Sequence, residues 1–564
     1  MRTRGPVLAL LALGALAPLL ASPVTASAAA RTPAPTYQQY YAPASADVVE
    51  PSIGVNPRGT DALFSASTST YKIAFDNGVP AKATFTDVSP TATSVETFDP
   101  ILTTDRYTGR TFISQLLLAC SLTAFTDDDA KSFQNSQGCG PGAAEDHQTL
   151  GAGPLHTPLP ATAAVTGKEG AYYCAQNGVD STCAASIDGG RTFGPAVPAF
   201  NQNAANKCQA LSGHLKVAPD GTVYLPNKSC FGKPTTDQLT DGLYDDGKPS
   251  VAVSTDNGKT YAVRADPVGT SQDEDDNTVD VSRNGRLWMA WQQGRNVSPT
   301  VGAPASAAMV AWSDTQGKTW STASNLSLPL GLHNTHFASV VTGDADRAAV
   351  SFYGTTAKGD DQQTPFRGEW HYYIATTYDA GRTWATRDVT GSDPVKRNCV
   401  DNQGTKPAAS NDPPTGSMIC KERDFYDFMD IGMDKTGRVL GIFTDACSKA
   451  CVTNQSLGQD GTRGVIARQT SGRGLYAAFD RHAVAPRRAA VAGPASSGGQ
   501  SSGPASSGGQ SSGGQSPTGP ASSSAVLRTS EQALPQTGLP DGVSVLALVL
   551  VLVGGAFALR RRVA

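Results

Sequence analysis

The chain has 564 residues, with 45 basic and 49 acidic side chains and a formal net charge of −4. So even a balance excludes the strong electrostatic attraction on which nucleic-acid binding depends. With 39% hydrophobic residues, 58 Gly and 37 Pro, the chain can bury a substantial core but is punctuated by turns.

At the N-terminus, Arg2 and Arg4 precede an apolar run from Val7 to Ala21, and "TASAAA" (Thr25–Ala30) offers small residues to signal peptidase. A charged start, a short apolar core and a small-residue site read as a secretory signal peptide over residues 1–30. The run is short for a retained membrane anchor.

Beyond it helical periodicity is scarce. Short β-rich runs such as "GTVYLPN", "RLWMAWQ" and "RAAVSFYG" alternate with Gly, Asp and Asn turns. Two turn types recur. One is a tight hairpin before an aromatic or β-branched strand, starting at Asn56, Asp105, Gly167, Pro219, Arg283, Asp344 and Asp434. The other follows some 20 to 40 residues later, with the pattern S/T-x-D-x-G-x-T-aromatic. Its strong copies are Ser186–Phe193, Ser254–Tyr261 and Thr377–Trp384. In Ser313–Trp320, Thr315 replaces the Asp; in Thr126–Phe133, Ala130 replaces the Gly. Weaker versions lie near Asp76–Gly78 and Ser471–Gly472. Seven units of roughly 60 residues, built only of strands, predict an all-β fold, a β-propeller of six or seven four-stranded blades with seven favoured, over residues 44–486. Within the repeated turn the Asp carboxylate is suited to accept backbone N–H bonds, the Gly to supply a positive φ, and the aromatic to fill the space between sheets.

These turns resemble the Asp boxes, or BNR repeats, of the sialidase superfamily, and the resemblance covers most of Glu50 to Phe479. In that family the box lies on the blade periphery away from the active site, so it implies fold and not activity. Family sialidases have six blades. Either the weak first and last units are not blades, or the chain is a seven-bladed relative.

All ten cysteines lie in this region, and an even count in an exported chain suggests disulfides. Taken in chain order they pair locally as Cys120–Cys139, Cys174–Cys183, Cys208–Cys230, Cys399–Cys420 and Cys447–Cys451. No C-x-x-C spacing supports thiolate metal ligation. The connectivity stays open at this stage.

A propeller presents ligands where its innermost strands begin, a few residues before each hairpin. Those positions hold Glu50, Asp99, Asp146 with His147, His214, Asp276, His336 and "RDFYDFMD" (Arg423–Asp430). Polar residues at equivalent places in most blades should converge on the axis, which makes Glu50, His147, His214, Asp276 and His336 candidate ligand contacts. They can equally cap strand ends or hold channel water. Trp288, Trp291 and Trp312 fit a sugar platform or, more simply, core packing. No cofactor is expected; "QDEDDN" (Gln272–Asn277) offers carboxylates to calcium or forms a solvated acidic loop.

The sialidase resemblance implies three arginines on a carboxylate, an Asp acid/base and a Tyr nucleophile helped by a Glu. Only Arg423, Tyr426 and Asp427, with Asp99, stand near suitable places. The Arg-Ile-Pro motif that carries the family's first arginine is missing; "EPSIGVNPRG" stands there, with Arg58 in the turn. The departure puts hydrolysis in doubt. A binding propeller for a glycan or surface protein, an exo-glycosidase and a purely structural surface protein all fit, in that order.

Residues 489–533 are Gly, Ser, Pro and Gln with little to bury, a flexible linker. Leu534, Pro535, Gln536, Thr537 and Gly538 follow, then an apolar run over 543–559 and Arg560, Arg561 and Arg562. Pentapeptide, hydrophobic segment and basic tail in that order resemble the sorting signal of Gram-positive surface proteins, spanning 534–564. The resemblance implies transient membrane retention with the basic tail inside, cleavage between Thr537 and Gly538 by a sortase, and covalent attachment to peptidoglycan on the outer face of the cell.

Overall fold

The computed structural model describes residues 33 to 482 with interruptions, the longest at 401–427, 295–305, 266–275, 137–145, 160–168 and 235–243. The chain divides into two units, residues 1–488 and 489–564. The signal peptide, linker and sorting segment lie outside the described residues. Among the described residues no helix is long and apolar enough to cross a membrane.

Seven antiparallel four-stranded sheets follow one another as blades of a β-propeller. Their inner strands are Ser52–Val55, Pro100–Thr104, Asp146–Pro154, Lys216–Val217, Thr278–Val281, Asn334–Thr342 and Asp430–Met433, in blades 1 to 7. Six blades take all four strands from consecutive chain. Blade 7 takes its outer strand, Thr36–Tyr41, from the N-terminus, paired antiparallel with Arg463–Ser471. The ring is thus closed by residues ahead of position 44, where the sequence placed the domain's start. Ser471–Gly472, read as a weak repeated turn, has no outer strand to lead into; the chain instead runs across the blades as a strap. Leu475 N–H donates to Gly437 O and Asp344 N–H to Leu475 O. Arg347 grips Asp480 with two bonds of 2.7 Å.

The repeated turn joins the third and fourth strands of blades 2 to 6. In blade 3, Asp188 Oδ1 accepts from Arg191 N–H and Thr192 N–H at 3.0 Å, and Asp188 Oδ2 from the Thr192 hydroxyl at 2.7 Å. The Ser186 hydroxyl donates to Asp188 and accepts from Gly190 N–H. Asp128, Asp256 and Asp379 repeat the arrangement. In blade 5 the Thr315 hydroxyl accepts from Thr319 N–H at 2.9 Å in place of a carboxylate. The turn needs two successive left-handed residues: Gly189 and Gly190 at φ of 75° and 87°, Asp129 and Ala130 at 58° and 61°. A Cβ on Gly190 would sit 2.3 Å from Phe112 Cε1, which excludes any other residue without repacking. The closing aromatics Phe133, Phe193, Tyr261, Trp320 and Trp384 each pack against a cluster shared with the preceding blade. The turn is therefore a staple that joins blades through apolar burial.

Inner strands have no partner on their axial edge, and unpaired backbone N–H groups there must be satisfied. A girdle of side chains does this. Leu102 N–H donates to Ser52 Oγ, His147 N–H to Asp99, Leu215 N–H to Thr149 Oγ1, Val340 N–H to Thr278 Oγ1 and Ile53 N–H to Asp430. Asn277 Nδ2 to Asn227 O and Ser339 Oγ to Met429 O extend it between blades 4 and 5 and blades 6 and 7.

The two faces differ. The hairpins between first and second strands, such as 105–110 and 282–286, and the repeated turns are short and occupy one face. The second strands end, and the inner strands begin, at the other. Three disulfides, Cys174–Cys183, Cys208–Cys230 and Cys447–Cys451, staple that second face. Cys399 is disulfide-bonded too; Cys139 and Cys420, the expected partners of Cys120 and Cys399, lie outside the described residues.

Candidate functional site

At the mouth where the inner strands begin, His147 is the hub. Its Nδ1 lies 3.2 Å from Asp276 Oδ2 and 3.2 Å from Ser212 O, and since a carbonyl can only accept, that contact calls for an N–H at Nδ1. Its backbone N–H donates to Asp99 Oδ2 at 3.0 Å, and Gln148 Nε2 donates to Asp99 O. One residue thus bridges the carboxylates of blades 2 and 5. His147 adopts φ of +55°, at a bulge between Asp146 and Thr149. Glu50 and Phe337 show the same left-handed kink in blades 1 and 6, at +47° and +53°. Such conformations persist only where the surroundings impose them, and they gather at binding sites.

Phe428 is the lid over this hub. Its ring lies edge-on to His214 at 4.4 Å and to His147 at 6.3 Å between centroids. Among the described residues His214 Nε2 has no hydrogen-bond partner. Burial, with the Lys216 and His147 charges, pushes the His214 imidazole down to about 3, so it stays neutral in any physiological medium. Beneath Phe428, a cavity of about 10 Å³ between Gly213, His214, Asp276 and Phe337 has room for one water. A larger ligand does not fit in that space.

Farther down the axis a second cavity of about 150 Å³ is bordered by Arg106, Lys216, Asp280, Asp430 and Tyr476. Arg106 binds Asp280 at 2.5 Å and the Val281 carbonyl at 2.8 Å. Burial pushes the Asp430 carboxyl up, and the Lys216 ammonium opposes that. Lys216, which borders the second cavity, bears electrostatically on both His214 and Asp430. Lys216, Arg106 and Asp280 are missing from the sequence-based set. They lie inside short strands or in a hairpin, where only strand alternation could have shown that they face the channel.

Of the residues expected at the axis, Asp99, His147, His214 and Asp276 come together. His336 does not join them: it is buried against Trp370 and its Nε2 pairs with Asp361 at 2.8 Å. Glu50 is buried ahead of the first inner strand. Arg423, Tyr426 and Asp427 lie outside the described residues. Arg397, on the same face, is held by the carbonyls of Cys451 and Val452 and by Glu369. Trp288 and Trp291 are core residues, and Trp312 stacks under Arg286. Among the described residues no group of three or more His, Cys, Asp or Glu is placed to hold a metal; residues 272–275 lie outside them.

No family model matches the chain, and no curated protein does. Solved structures similar to it include YCF48 bound to D1 peptide, the Dos1 propeller and the tricorn protease as well as carbohydrate-active enzymes. The Hadza microbial sialidase Hz136 is 12% identical with a TM-score of 0.36, covering 73% of this chain and 75% of that one. The polysaccharide lyase Uly1 is 10% identical with a TM-score of 0.39, covering 76% and 91%. The Penicillium chrysogenum α-L-arabinanase in complex with arabinobiose is 13% identical with a TM-score of 0.35, covering 57% and 93%. At such distance the likeness concerns architecture alone.

Proposed function

We propose that the protein is an exported, wall-anchored propeller that binds a glycan at the mouth around His147 and Phe428. The observation that carries this reading is the His147 hub: one imidazole holds Asp276, its backbone holds Asp99, and an aromatic ring covers the group. Carboxylates and a neutral imidazole suit sugar hydroxyls, and an aromatic ring suits the apolar face of a pyranose. The repeated turns, read as Asp boxes, sit on the opposite face, as in the sialidase superfamily. The signal peptide and LPQTG segment supply export and sortase-mediated attachment to peptidoglycan.

The second reading is a surface exo-glycosidase. Against it, Asp99 is held by the His147 backbone N–H, whereas glycosidic hydrolysis needs two carboxyl groups facing the scissile bond. The test is to immobilise the purified protein and pass over it a mixture of sialylated and neutral glycans. Retained intact glycans, lost in Phe428→Ala and Asp276→Asn, would support binding. Released monosaccharide, abolished by Tyr426→Phe or Asp427→Asn, would make the protein a glycosidase. If neither retention nor release is seen, the axial reading fails.

A further inference from the structure

The cavity of about 150 Å³ at the hairpin end of the channel lies away from the His147 mouth. Blades 1, 2, 4, 5, 6 and 7 border it, with Tyr476 of the strap. Much of the wall is apolar, from residues such as Val55, Val340, Val341 and Met433, so the few charged groups in it carry its chemistry.

One cation there is tied across the ring. Arg106, in the blade 2 hairpin, donates from Nη2 to Asp280 Oδ1 and from Nη1 to Val281 O, both in blade 5. Asp280 Oδ2 accepts from Thr342 N–H at 2.8 Å, so both oxygens of that carboxylate are taken. The guanidinium is therefore fixed, and only part of its five-donor fork is used.

Lys216 is the other. It starts the short inner strand of blade 4 and borders the cavity. Among the described residues it makes no hydrogen bond and no ion pair. Asp430 borders the same space, but its oxygens accept from Ile53 N–H at 3.1 Å and Ile431 N–H at 2.8 Å. Burial also pushes the Asp430 carboxyl up, which weakens it as a counter-ion. Free N–H donors thus outnumber free acceptors in the cavity, and a half-buried ammonium without an acceptor is costly.

We propose that this chamber binds a small oxyanion, a carboxylate or a phosphate, held by Lys216 with Arg106 as the fixed second donor. The proposal does not rest on glycan binding at the His147 mouth. Ammonium and guanidinium groups are the side chains that make charge-assisted bonds to such oxygens. The volume lies below that of drug-sized pockets, which limits the ligand to a compact one. A guanidinium already held in place adds little ordering cost on binding.

Calorimetric titration of the purified protein with acetate, inorganic phosphate and acetamide tests it. Acetamide has the shape of acetate without its charge. At least one anion should bind, the tighter one assigning the group, and acetamide should not. Lys216→Met, similar in length but uncharged, should weaken anion binding about tenfold or more. Lys259→Met, in the exposed blade 4 turn, should leave it unchanged. A second measurement needs no variant: reductive methylation with formaldehyde and a borane, read on the Lys216 and Lys259 peptides by mass spectrometry. Saturating anion should slow methylation of Lys216 severalfold and leave Lys259 alone, and acetamide should protect neither. Failure of both anions to bind, equal binding of acetamide, wild-type affinity in Lys216→Met, loss of binding in Lys259→Met, or a Lys216 rate indifferent to anion would each overturn the proposal. So would a Lys216 that never reacts, because formaldehyde is smaller than either anion.

Discussion

Blade 5 offers a clean test of what the repeated turn's carboxylate contributes, because Thr315 stands where blades 2, 3, 4 and 6 have Asp. The Thr315 hydroxyl already accepts from Thr319 N–H at 2.9 Å and meets the Thr319 hydroxyl at 2.8 Å. A carboxylate at that position would gain a second oxygen and a charge. Blade 2 is the precedent, since Asp127 precedes Asp128 there and is neutralised by Arg110, as Asp314 is by Arg286. Hydrogen bonds from Ser132 hold Asp128 down to about 2, from 3.8. Taken whole, that depression corresponds to about 2.5 kcal/mol. The turn faces solvent, so screening leaves about 0.5–1 kcal/mol for Thr315→Asp. In a domain this large the gain amounts to a rise in Tm of about 1 °C or less, measurable by calorimetry. A depressed carboxylate contributes its stability above the unfolded value and loses it as pH falls through the folded one. The gain should therefore be full at pH 7 and fade between about 4 and 2. An unchanged or lower Tm at pH 7, or a gain indifferent to pH, would refute the reasoning.

Other outcomes follow from the same geometry. Gly190→Ala forces a Cβ into Phe112 and should destabilise by about 2–4 kcal/mol, whereas Ala130→Gly relieves a left-handed alanine and should gain about 0.5–1 kcal/mol; paired melts decide. Ser52→Ala leaves Leu102 N–H without its acceptor on the channel edge and should cost about 1–3 kcal/mol, read in urea unfolding. Asp445, pushed up to about 7 mainly by burial, destabilises the fold progressively as pH rises from about 4 to 7, because the unfolded carboxyl ionises first. Asp445→Asn, which can keep the bond from Cys447 N–H, should therefore raise Tm more at pH 8 than at pH 4.

The seven-fold architecture was legible because the hairpin recurs in every blade and the second turn in blades 2 to 6, and the turn chemistry is local: in its strong copies an Asp, a Gly and an aromatic lie within eight residues. What escaped was whatever depended on contacts between distant segments. The outer strand of blade 7, "TYQQYY", carries no repeat and can be placed only by its pairing with Arg463–Ser471. The polar residues at the inner strands' starts were visible, but their meaning was divided. Asp99 serves both as an acceptor for the next blade's backbone and as part of the His147 hub, and Asp430 is wholly in the girdle. His336 looks the same in sequence as His147, yet the partner that takes it from the axis, Asp361, comes from a connection 25 residues on.

The closing strand also sets an order of events. Thr36 and Ser471 are bonded across 435 positions, so the last blade's first edge waits for nearly the whole domain to be made. Until then two complementary edges, one at each end of the chain, stand open. If the tail is delayed, a neighbouring nascent copy can lend its own N-terminal strand, and swapped pairs become the characteristic product of slow synthesis.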